Sequence, residues 1–242
     1  MNKVYLSVII PTFNEETRIV SGLTRVLHFL DSQKYTSEII VVDDGSLDRT
    51  QAFVREHFGD RKQVLLHCDP NNRGKGAAIK RGMLLACGQY LFFSDVDLSV
   101  PIEMLPTFLS HLENDCDLAI GSRRKTGARI EVHQPAHRES MGKVYSSLSR
   151  VLLGLKISDF TCGFKGFRGD VARALFAEQR LEDWSFDAEI LFLARRKGCR
   201  IAEIPVIWRN HPATKVRLWR DPIVSLMGLL RIRLYDALGR YH

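Results

Sequence analysis

The segment Tyr90 to Asp97, YLFFSDVD, decides the fold class, because a short apolar run ends abruptly at two aspartates separated by one residue. A run bounded in this way is typical of a buried strand, whose carboxyl end then presents the aspartates. The same arrangement occurs earlier, where Leu6 to Ile10 precedes a proline and Ile39 to Val42 precedes Asp43 and Asp44. The chain therefore repeats a unit in which a buried strand leads into polar residues.

Helical patterns separate these strands as far as residue 122. After the first strand, apolar residues recur three or four apart, at Ile19, Leu23, Val26, Leu27 and Leu30. The further predicted elements are helices at Arg49–His57 and Gly74–Cys87, a helix after Pro101, and strands at Val64–Cys68 and Leu118–Ile120. This alternation predicts an α/β fold with a mostly parallel sheet flanked by helices. Because ligands bind beyond the carboxyl ends of such strands, the residues that follow the strands should form one site.

The second half of the chain has a different texture. The polar, basic stretch Arg123 to Glu139 shows no clear period and is interpreted as a loop. Helices are predicted at Gly142–Leu155 and Phe186–Lys197, and a strand at Ile201–Ile207. We divide the chain into one α/β domain, residues 1–219, and a C-terminal amphipathic basic helix, residues 220–242.

The C-terminal helix is predicted over Pro222 to Leu238. Its apolar face consists of Ile223, Leu226, Met227, Leu230, Leu234 and Leu238, with arginines around it. Such a helix either lies on a membrane surface or packs on its own domain or on a second subunit, which would make a homo-oligomer. The pattern does not separate these alternatives.

Composition limits the class of protein. The chain has 242 residues, 45% of them hydrophobic, and a net charge of +7, which favours anionic partners without choosing among them. Its five cysteines are scattered and form no metal-binding pair, so a cytoplasmic, reducing compartment is expected. Neither a signal peptide nor an apolar run of transmembrane length is expected.

The two aspartates Asp95 and Asp97 are candidate metal ligands. Carboxylates at this spacing bind hard divalent cations such as Mg²⁺ or Mn²⁺, and such a cation neutralises a departing diphosphate. On its own the pattern is weak, since aspartate after a strand is also a common turn residue.

Other polar positions point to phosphate and ribose groups. Asp44, after the second strand, is placed to accept hydrogen bonds from a nucleoside, and Lys75 at a glycine-rich helix start attracts an anion. Neither a Walker A loop nor a dinucleotide-binding fingerprint is present, which disfavours a nicotinamide cofactor. Arginines recur downstream and suit phosphate recognition, because the guanidinium fork matches phosphate oxygens.

Several motifs together resemble the family 2 glycosyltransferases, which have the GT-A fold. They are LSVIIPTFNE from Leu6, VVDDGS from Val41, NRGKGAA from Asn72 and FSDVDLSVP from Phe93. Three later motifs, GSR from Gly121, DFTCGFKGF from Asp159 and SFDAE from Ser185, are similar to the dolichyl-phosphate glucose and mannose synthase branch.

The resemblance implies roles for matching residues. It implies nucleotide binding by Pro11, Phe13, Glu15, Asp44 and Asp95, to which we add Lys75. It implies metal binding and catalysis by Asp95 and Asp97, with Asp187 as a reserve base. It implies acceptor-phosphate binding by Arg123 and Arg138 and donor-diphosphate binding by Arg209, with Lys215 after it. The family often has glutamine where this chain has Ser99, so water is expected to replace that contact with the metal.

The implied reaction is inverting transfer of a hexose from a sugar nucleotide to a polyprenyl or dolichyl phosphate at the cytoplasmic membrane face. UDP-glucose is the preferred donor and GDP-mannose the second. A soluble phosphorylated acceptor is an alternative, because no transmembrane run is present. An aspartate-nucleophile phosphatase is another, since DVDLS resembles its motif. A nucleic-acid binder is supported only by the charge, and we expect no nucleic-acid partner.

Overall fold

The computed structural model describes residues 4–211 and 221–241. The strands are β1 (Leu6–Thr12), β2 (Ser37–Asp44), β3 (Val64–Asp69), β4 (Tyr90–Ser94), β5 (Leu118–Ser122), β6 (Arg129–Val132), β7 (Phe164–Arg168), β8 (Ile201–Pro205) and β9 (Ile207–Arg209). The helices are α1 (Ile19–Asp31), α2 (Thr50–Phe58), α3 (Lys75–Leu85), α4 (Leu105–Asn114), α5 (Ala136–Leu153), α6 (Gly169–Glu178), α7 (Phe186–Arg196) and α8 (Asp221–Ala237). A short 3₁₀ helix at Ile102–Met104 precedes α4.

Seven strands form one sheet in the order β3-β2-β1-β4-β7-β5-β8. β7 runs antiparallel to β4 and β5, and the other neighbouring strands are parallel. β6 and β9 pair separately as a small parallel sheet. The predicted α/β fold, with a mostly parallel sheet flanked by helices, is confirmed.

Both faces of the large sheet are covered by helices, which explains the uninterrupted apolar strands. In β1, Val8 and Ile10 pack into a core shared with α1, α2 and α4, whereas Ile9 packs into a core shared with α3 and α7. Successive strand residues point to opposite faces, so a sheet buried on both sides needs apolar residues at every position. All three of these side chains are fully buried.

The predicted loop between Arg123 and Glu139 is wrong in two places. Residues Arg129–Val132 form β6, which pairs with β9 about 78 residues further along the chain. Helix α5 begins at Ala136, six residues before the predicted start. Its first turns line a cavity and are polar, so they lack the apolar period by which a helix is recognised in sequence.

The aromatic segment that ends at Phe167 places an antiparallel strand in the middle of the sheet. Phe164 of β7 packs edge-on against Phe108 of α4, with ring centroids 4.9 Å apart. On the opposite face, Phe167 packs edge-on against Phe176 of α6. Aromatic pairs on both faces therefore fix β7 between β4 and β5, and the residues just before it reach the carboxyl edge of β4.

The C-terminal helix is present as α8, which packs against α5 and α7. Leu229 and Ile232 are buried against the domain. Tyr241, just beyond the helix, is also buried and donates a hydrogen bond to Glu189 of α7 at 2.7 Å. In the described ranges, no helix has the length and apolar character needed to cross a bilayer. The predicted domain boundary at residue 219 falls outside the described residues and stays a prediction.

Candidate active site

A large cavity opens at the carboxyl ends of β1, β2 and β4. Its volume is about 1770 Å³, larger than the ~300–1,000 Å³ that is common for one small ligand. The walls come from these strand ends, the start of α3, the loop before β7 and one side of α5. The cavity therefore has room for two substrates side by side.

Most of the predicted site residues line this cavity, although they are far apart in sequence. They are Pro11, Phe13, Glu15, Asp44, Lys75, Asp95, Asp97, Arg123, Arg138 and Asp187. In the described part of the chain, Arg209 does not line the cavity. Its guanidinium pairs instead with Glu131 of β6. Lys215 lies outside the described residues. The individual roles of these residues stay predictions.

Asp44 holds the loop that starts α3. Its two carboxylate oxygens accept hydrogen bonds from the backbone N–H groups of Arg73, at 2.9 Å, and Gly74, at 2.8 Å. Gly74 has φ +117°, a conformation that a side chain would strain. Burial raises the pKa of the Asp44 carboxyl, although these two N–H groups oppose the shift. Asp44 thereby fixes where Lys75 enters the cavity.

Asp95 and Asp97 lie in a tight turn after β4. The N–H of Leu98 donates to the backbone oxygen of Asp95 at 3.1 Å, and the N–H of Ser99 donates to Oδ1 of Asp97 at 2.9 Å. Leu98 has φ +49°, an uncommon conformation for a residue with a side chain. The turn thus sets both carboxylates into the cavity wall, and it uses the backbone of Ser99 for that purpose.

Two cations lie against these carboxylates. The ammonium of Lys75 is 2.5 Å from Oδ1 of Asp95, and Nη1 of Arg18 is 3.7 Å from Oδ2 of Asp97. Burial lowers the pKa of Lys75, but the carboxylates of Asp95 and Asp187 outweigh it, so the net shift is upward. Lys75 and Arg18 are therefore cationic at neutral pH and can bind phosphate groups that enter the cavity.

The geometry fits a divalent cation held partly by a substrate. Asp95 and Asp97 expose 37% and 19% of their side chains to the cavity. Among the described residues, no group of three acidic, histidine or cysteine side chains surrounds a single point. Mg²⁺ and Mn²⁺ commonly take one or two carboxylates and complete their shell with water and phosphate oxygens. The two aspartates match that pattern.

Asp187 forms an ion pair with Lys165, a residue that no sequence motif singles out. The ammonium of Lys165 is buried and lies 2.5 Å from Oδ1 of Asp187, and it also donates to the backbone oxygens of Phe160 and Cys162. Burial raises the pKa of the Asp187 carboxyl, although Lys165 and Lys75 oppose the shift. The ion pair joins α7 to β7, the two backbone hydrogen bonds tie Lys165 to the loop before β7, and Asp187 is held near Lys75.

Arg123 is likewise engaged within the protein. Its guanidinium donates to both carboxylate oxygens of Asp159, at 2.7 and 2.8 Å, and to the hydroxyl of Thr161. Burial alone would raise the pKa of Asp159, but Arg123 holds it well below its usual range. Asp159 belongs to the DFTCGFKGF motif, yet its partner lies 36 residues earlier, so the spacing in the sequence could not reveal the pair.

Arg138 is better placed to meet a phosphate. It lies in the first turn of α5 and lines the cavity. Its Nε is buried, and within the described residues this atom has no hydrogen-bond partner. A buried guanidinium nitrogen without a partner is costly, and an anion bound beside the guanidinium would stabilise the charge of the group as a whole. Of the two arginines predicted for the acceptor phosphate, Arg138 therefore has more free hydrogen-bonding capacity.

Comparison with known proteins gives the same family as the motifs. The family model for glycosyl transferase family 2 matches residues 7–176. A protein named dolichyl-phosphate beta-glucosyltransferase ALG5D from Trichomonas vaginalis is 34% identical over 98% of this chain and 75% of its own length. A dolichyl-phosphate beta-glucosyltransferase from Saccharomyces cerevisiae is also 34% identical, over 99% of this chain and 77% of its own length.

Solved structures support the fold. Glucosyl-3-phosphoglycerate synthase from Mycobacterium tuberculosis, crystallised with Mn²⁺, UDP and phosphoglyceric acid, superposes with a TM-score of 0.67 over 95% of this chain and 78% of that one. Its sequence identity of 18% makes this a likeness of fold alone. The family match and the names of the curated relatives do not favour the phosphatase hypothesis. The chain belongs to glycosyl transferase family 2, as its motifs predict.

Proposed function

We propose that this protein transfers glucose from a sugar nucleotide to a polyprenyl or dolichyl phosphate, with inversion at the anomeric carbon. One observation carries the proposal: a single cavity joins the paired aspartates at the strand edge to an arginine and an apolar wall on α5. Transfer to a lipid phosphate requires carboxylates that hold the metal and donor at one end of the cavity, and an arginine and apolar side chains that hold the acceptor at the other. The names of the relatives support glucose as the sugar and dolichyl phosphate as the acceptor.

The donor site is the strand edge. Pro11, near the end of β1, and Phe13, directly after it, form the wall beside Asp44 and suit a nucleoside. Asp95 and Asp97 would hold Mg²⁺ or Mn²⁺, which supplies positive charge to the departing diphosphate. Lys75 lies next to this point and can add its own charge as negative charge develops on the leaving group.

The acceptor site lies towards α5. A phosphate monoester has a second pKa of about 6, so it is an anionic nucleophile at neutral pH and needs positioning more than deprotonation. Arg138 supplies a guanidinium for this task, and Arg124, which also lines the cavity, supplies another. Asp187 is paired with Lys165, so we assign it to positioning Lys75 and keep the role of general base only as an alternative.

We place the reaction at the cytoplasmic face of a membrane. A lipid acceptor requires contact with a bilayer. The cysteines of the described residues are free thiols, which fits a reducing compartment. UDP-glucose is the proposed donor and GDP-mannose the alternative, because the relatives' names favour glucose.

A labelled-donor experiment tests the proposal. The protein is incubated with Mn²⁺ and either UDP-glucose or GDP-mannose, with a short polyprenyl phosphate or 3-phosphoglycerate as acceptor. We expect label in the organic phase with UDP-glucose and the lipid, and none without Mn²⁺. Label that moves only to 3-phosphoglycerate would replace the proposal by the soluble-acceptor alternative. An Asp97→Asn variant that retains full transfer would remove the proposed metal site.

A further inference from the structure

Trp184 and Tyr145 line the cavity of the candidate active site, and neither has a role predicted from a motif. Trp184 is half-buried and lies in the turn before α7, whereas Tyr145 belongs to α5. The two side chains therefore reach the cavity from different elements. Ligand pockets commonly combine aromatic side chains with a few precisely placed polar groups, so this pair is a candidate for contact with a substrate.

The turn that carries Trp184 is held against the start of α3. The backbone oxygen of Glu182 accepts a hydrogen bond from the N–H of Ala77 at 3.2 Å. A Cβ on Gly76 would lie 2.8 Å from the same backbone oxygen, so the two segments are in direct contact. The position of Trp184 is thus fixed relative to α3, whose first residue is Lys75.

Trp184 lies beside the place where the diphosphate of a sugar nucleotide is expected. The ammonium of Lys75 is 5.3 Å from the centroid of the indole ring and 2.5 Å from Oδ1 of Asp95. In a sugar nucleotide, the hexose is bonded directly to the diphosphate. A diphosphate beside Lys75 and Asp95 would therefore bring the hexose within reach of the indole ring.

Tyr145 supplies a buried hydroxyl to the cavity wall. Among the described residues, six buried side-chain polar atoms have no hydrogen-bond partner, and only the Tyr145 hydroxyl and Nε of Arg138 belong to residues that line the cavity. The nearby Ser149 hydroxyl donates to the backbone oxygen of Tyr145 at 2.8 Å. Burial and the Asp187 carboxylate raise the pKa of Tyr145, whereas Ser149 opposes the shift. The hydroxyl is therefore protonated at neutral pH and can donate a hydrogen bond.

The Tyr145 hydroxyl and the indole border the same part of the cavity. The carboxylates of Asp187 and Asp183 both raise the pKa of Tyr145. Because the interaction between charges weakens with distance, the hydroxyl lies on the side of α5 that faces the start of α7. Asp183 and Asp187 flank Trp184 in the sequence, one residue before it and three after it. An aromatic face and a hydroxyl therefore meet next to Lys75.

A hexose suits this combination of groups. A pyranose ring has C–H groups on its faces, which pack on an aromatic ring, and hydroxyls at its edge, which need hydrogen-bond partners. In UDP-glucose, the ring face opposite to the diphosphate carries only axial C–H groups. Galactose and mannose each place one axial hydroxyl on that face, and an indole would leave this hydroxyl without a partner. A flat apolar indole therefore favours glucose over these epimers.

We propose that Trp184 and Tyr145 form the subsite for the transferred hexose and select glucose. The indole packs on the ring face opposite to the diphosphate, and the Tyr145 hydroxyl forms a hydrogen bond with a hydroxyl of the sugar. The inference rests on the proposed function, since it requires a hexosyl nucleotide as the donor. It assigns sugar selection to residues other than the aspartates, lysine and arginines that face phosphate groups.

Calorimetry of donor binding, with Mn²⁺ and without an acceptor, tests the subsite. Comparison of UDP-glucose with UDP isolates the contribution of the hexose, because the two ligands share the nucleotide. In Trp184→Leu, the Kd for UDP-glucose should rise about tenfold while the Kd for UDP stays close to the wild-type value. Trp184→Phe keeps an aromatic face and should lose less. In Tyr145→Phe, which removes one hydroxyl, the Kd for UDP-glucose alone should rise about three- to tenfold.

Tyr35→Phe is the matched control for Tyr145→Phe. The Tyr35 hydroxyl is also buried and has no partner in the described part of the chain, but Tyr35 does not line the cavity. Its replacement should leave the Kd for UDP-glucose unchanged. An equal rise of that Kd in Tyr35→Phe and Tyr145→Phe would assign the effect to the fold and overturn the role of Tyr145.

UDP-galactose tests the selection of glucose, because it differs from UDP-glucose only at C4. The wild type should prefer UDP-glucose, and Trp184→Leu should reduce this preference. The inference would be overturned by an unchanged ratio of the UDP-glucose and UDP Kd values in Trp184→Leu and Tyr145→Phe, or by an unchanged preference over UDP-galactose in Trp184→Leu. A wild type that transfers glucose only to 3-phosphoglycerate would instead overturn the proposed function and leave the hexose subsite in place, because these binding measurements contain no acceptor.

Discussion

Gly163 is the residue whose replacement should most specifically damage the proposed metal site. It precedes β7 and lies directly behind the Asp95 carboxylate, so a Cβ at this position would lie 2.9 Å from Cγ of Asp95 and closer still to Oδ2. The clash is with the end of a side chain rather than with backbone. We therefore expect Gly163→Ala to fold, with the Asp95 carboxylate displaced by roughly 1 Å. A misplacement of that size costs about 100-fold in rate, or about 2.7 kcal/mol of transition-state stabilisation.

The assay is Mn²⁺ titration of sugar transfer, together with urea unfolding. Gly163→Ala should lower kcat/KM by about 100-fold and raise the Mn²⁺ concentration for half activation. Gly154→Ala is the control, because Gly154 has φ +64° and no atom within 4 Å of the added Cβ. It should lose about 1 kcal/mol of stability from backbone strain and keep the wild-type Mn²⁺ response. A Gly163→Ala enzyme with wild-type Mn²⁺ activation would refute the placement of the metal at Asp95.

Two further predictions concern the ion pairs of the cavity. Lys75→Met removes the cation that lies against Asp95. Mn²⁺ should then bind the nucleotide-free protein about tenfold more tightly, as measured by electron paramagnetic resonance of free Mn²⁺, whereas UDP should bind more weakly. Weaker Mn²⁺ binding by this variant would contradict the inference that Lys75 and Mn²⁺ compete for the Asp95 carboxylate. Asp159→Asn leaves the Arg123 guanidinium without its carboxylate partner and should cost about 3–5 kcal/mol in urea unfolding. Because the pKa of Asp159 is lowered in the folded state, its stabilisation is complete above the unfolded value of about 3.9 and declines as the pH falls below it. If the Asp159→Asn variant lost stability on acidification in the same way as the wild type, Asp159 would make no such contribution to the pH dependence.

The first half of the fold could be predicted because its signals are local. Each of β1 to β5 is an apolar run that ends at polar residues; the runs of β1, β2, β4 and β5 are largely buried in the sheet, whereas β3 is an edge strand with Leu65 exposed. Because parallel strands align their carboxyl ends, the meeting of Asp44 with Asp95 in one cavity followed from topology alone.

The elements that were missed depend on distant partners. β6 exists because it pairs with β9, and neither strand has an apolar pattern of its own. The polar start of α5 lines the cavity instead of the core. A local reading of the sequence assigns such residues to a loop, since their structural reason is a contact across the molecule.

The candidate site shows the same limit at the level of side chains. The motif SFDAE identifies Asp187 as a candidate, but nothing local identifies its fully buried partner Lys165, because the two lie 22 residues apart on different elements. The apolar face of α8 was recognised as a pattern, and its exposure was not predictable. Periodicity shows that two faces differ without showing which one the domain covers.

The stereochemistry of the product tests the central claim most directly. The enzyme is given UDP-glucose, whose glucose is α-linked, with Mn²⁺ and a short polyprenyl phosphate, and the anomeric proton of the product is observed by NMR. A single direct displacement on the donor held at Asp95 and Asp97, with the acceptor phosphate as nucleophile, predicts a β-linked glucosyl phosphate that does not form in the Asp97→Asn variant. An α-linked product, or free glucose as the only product, would contradict the account.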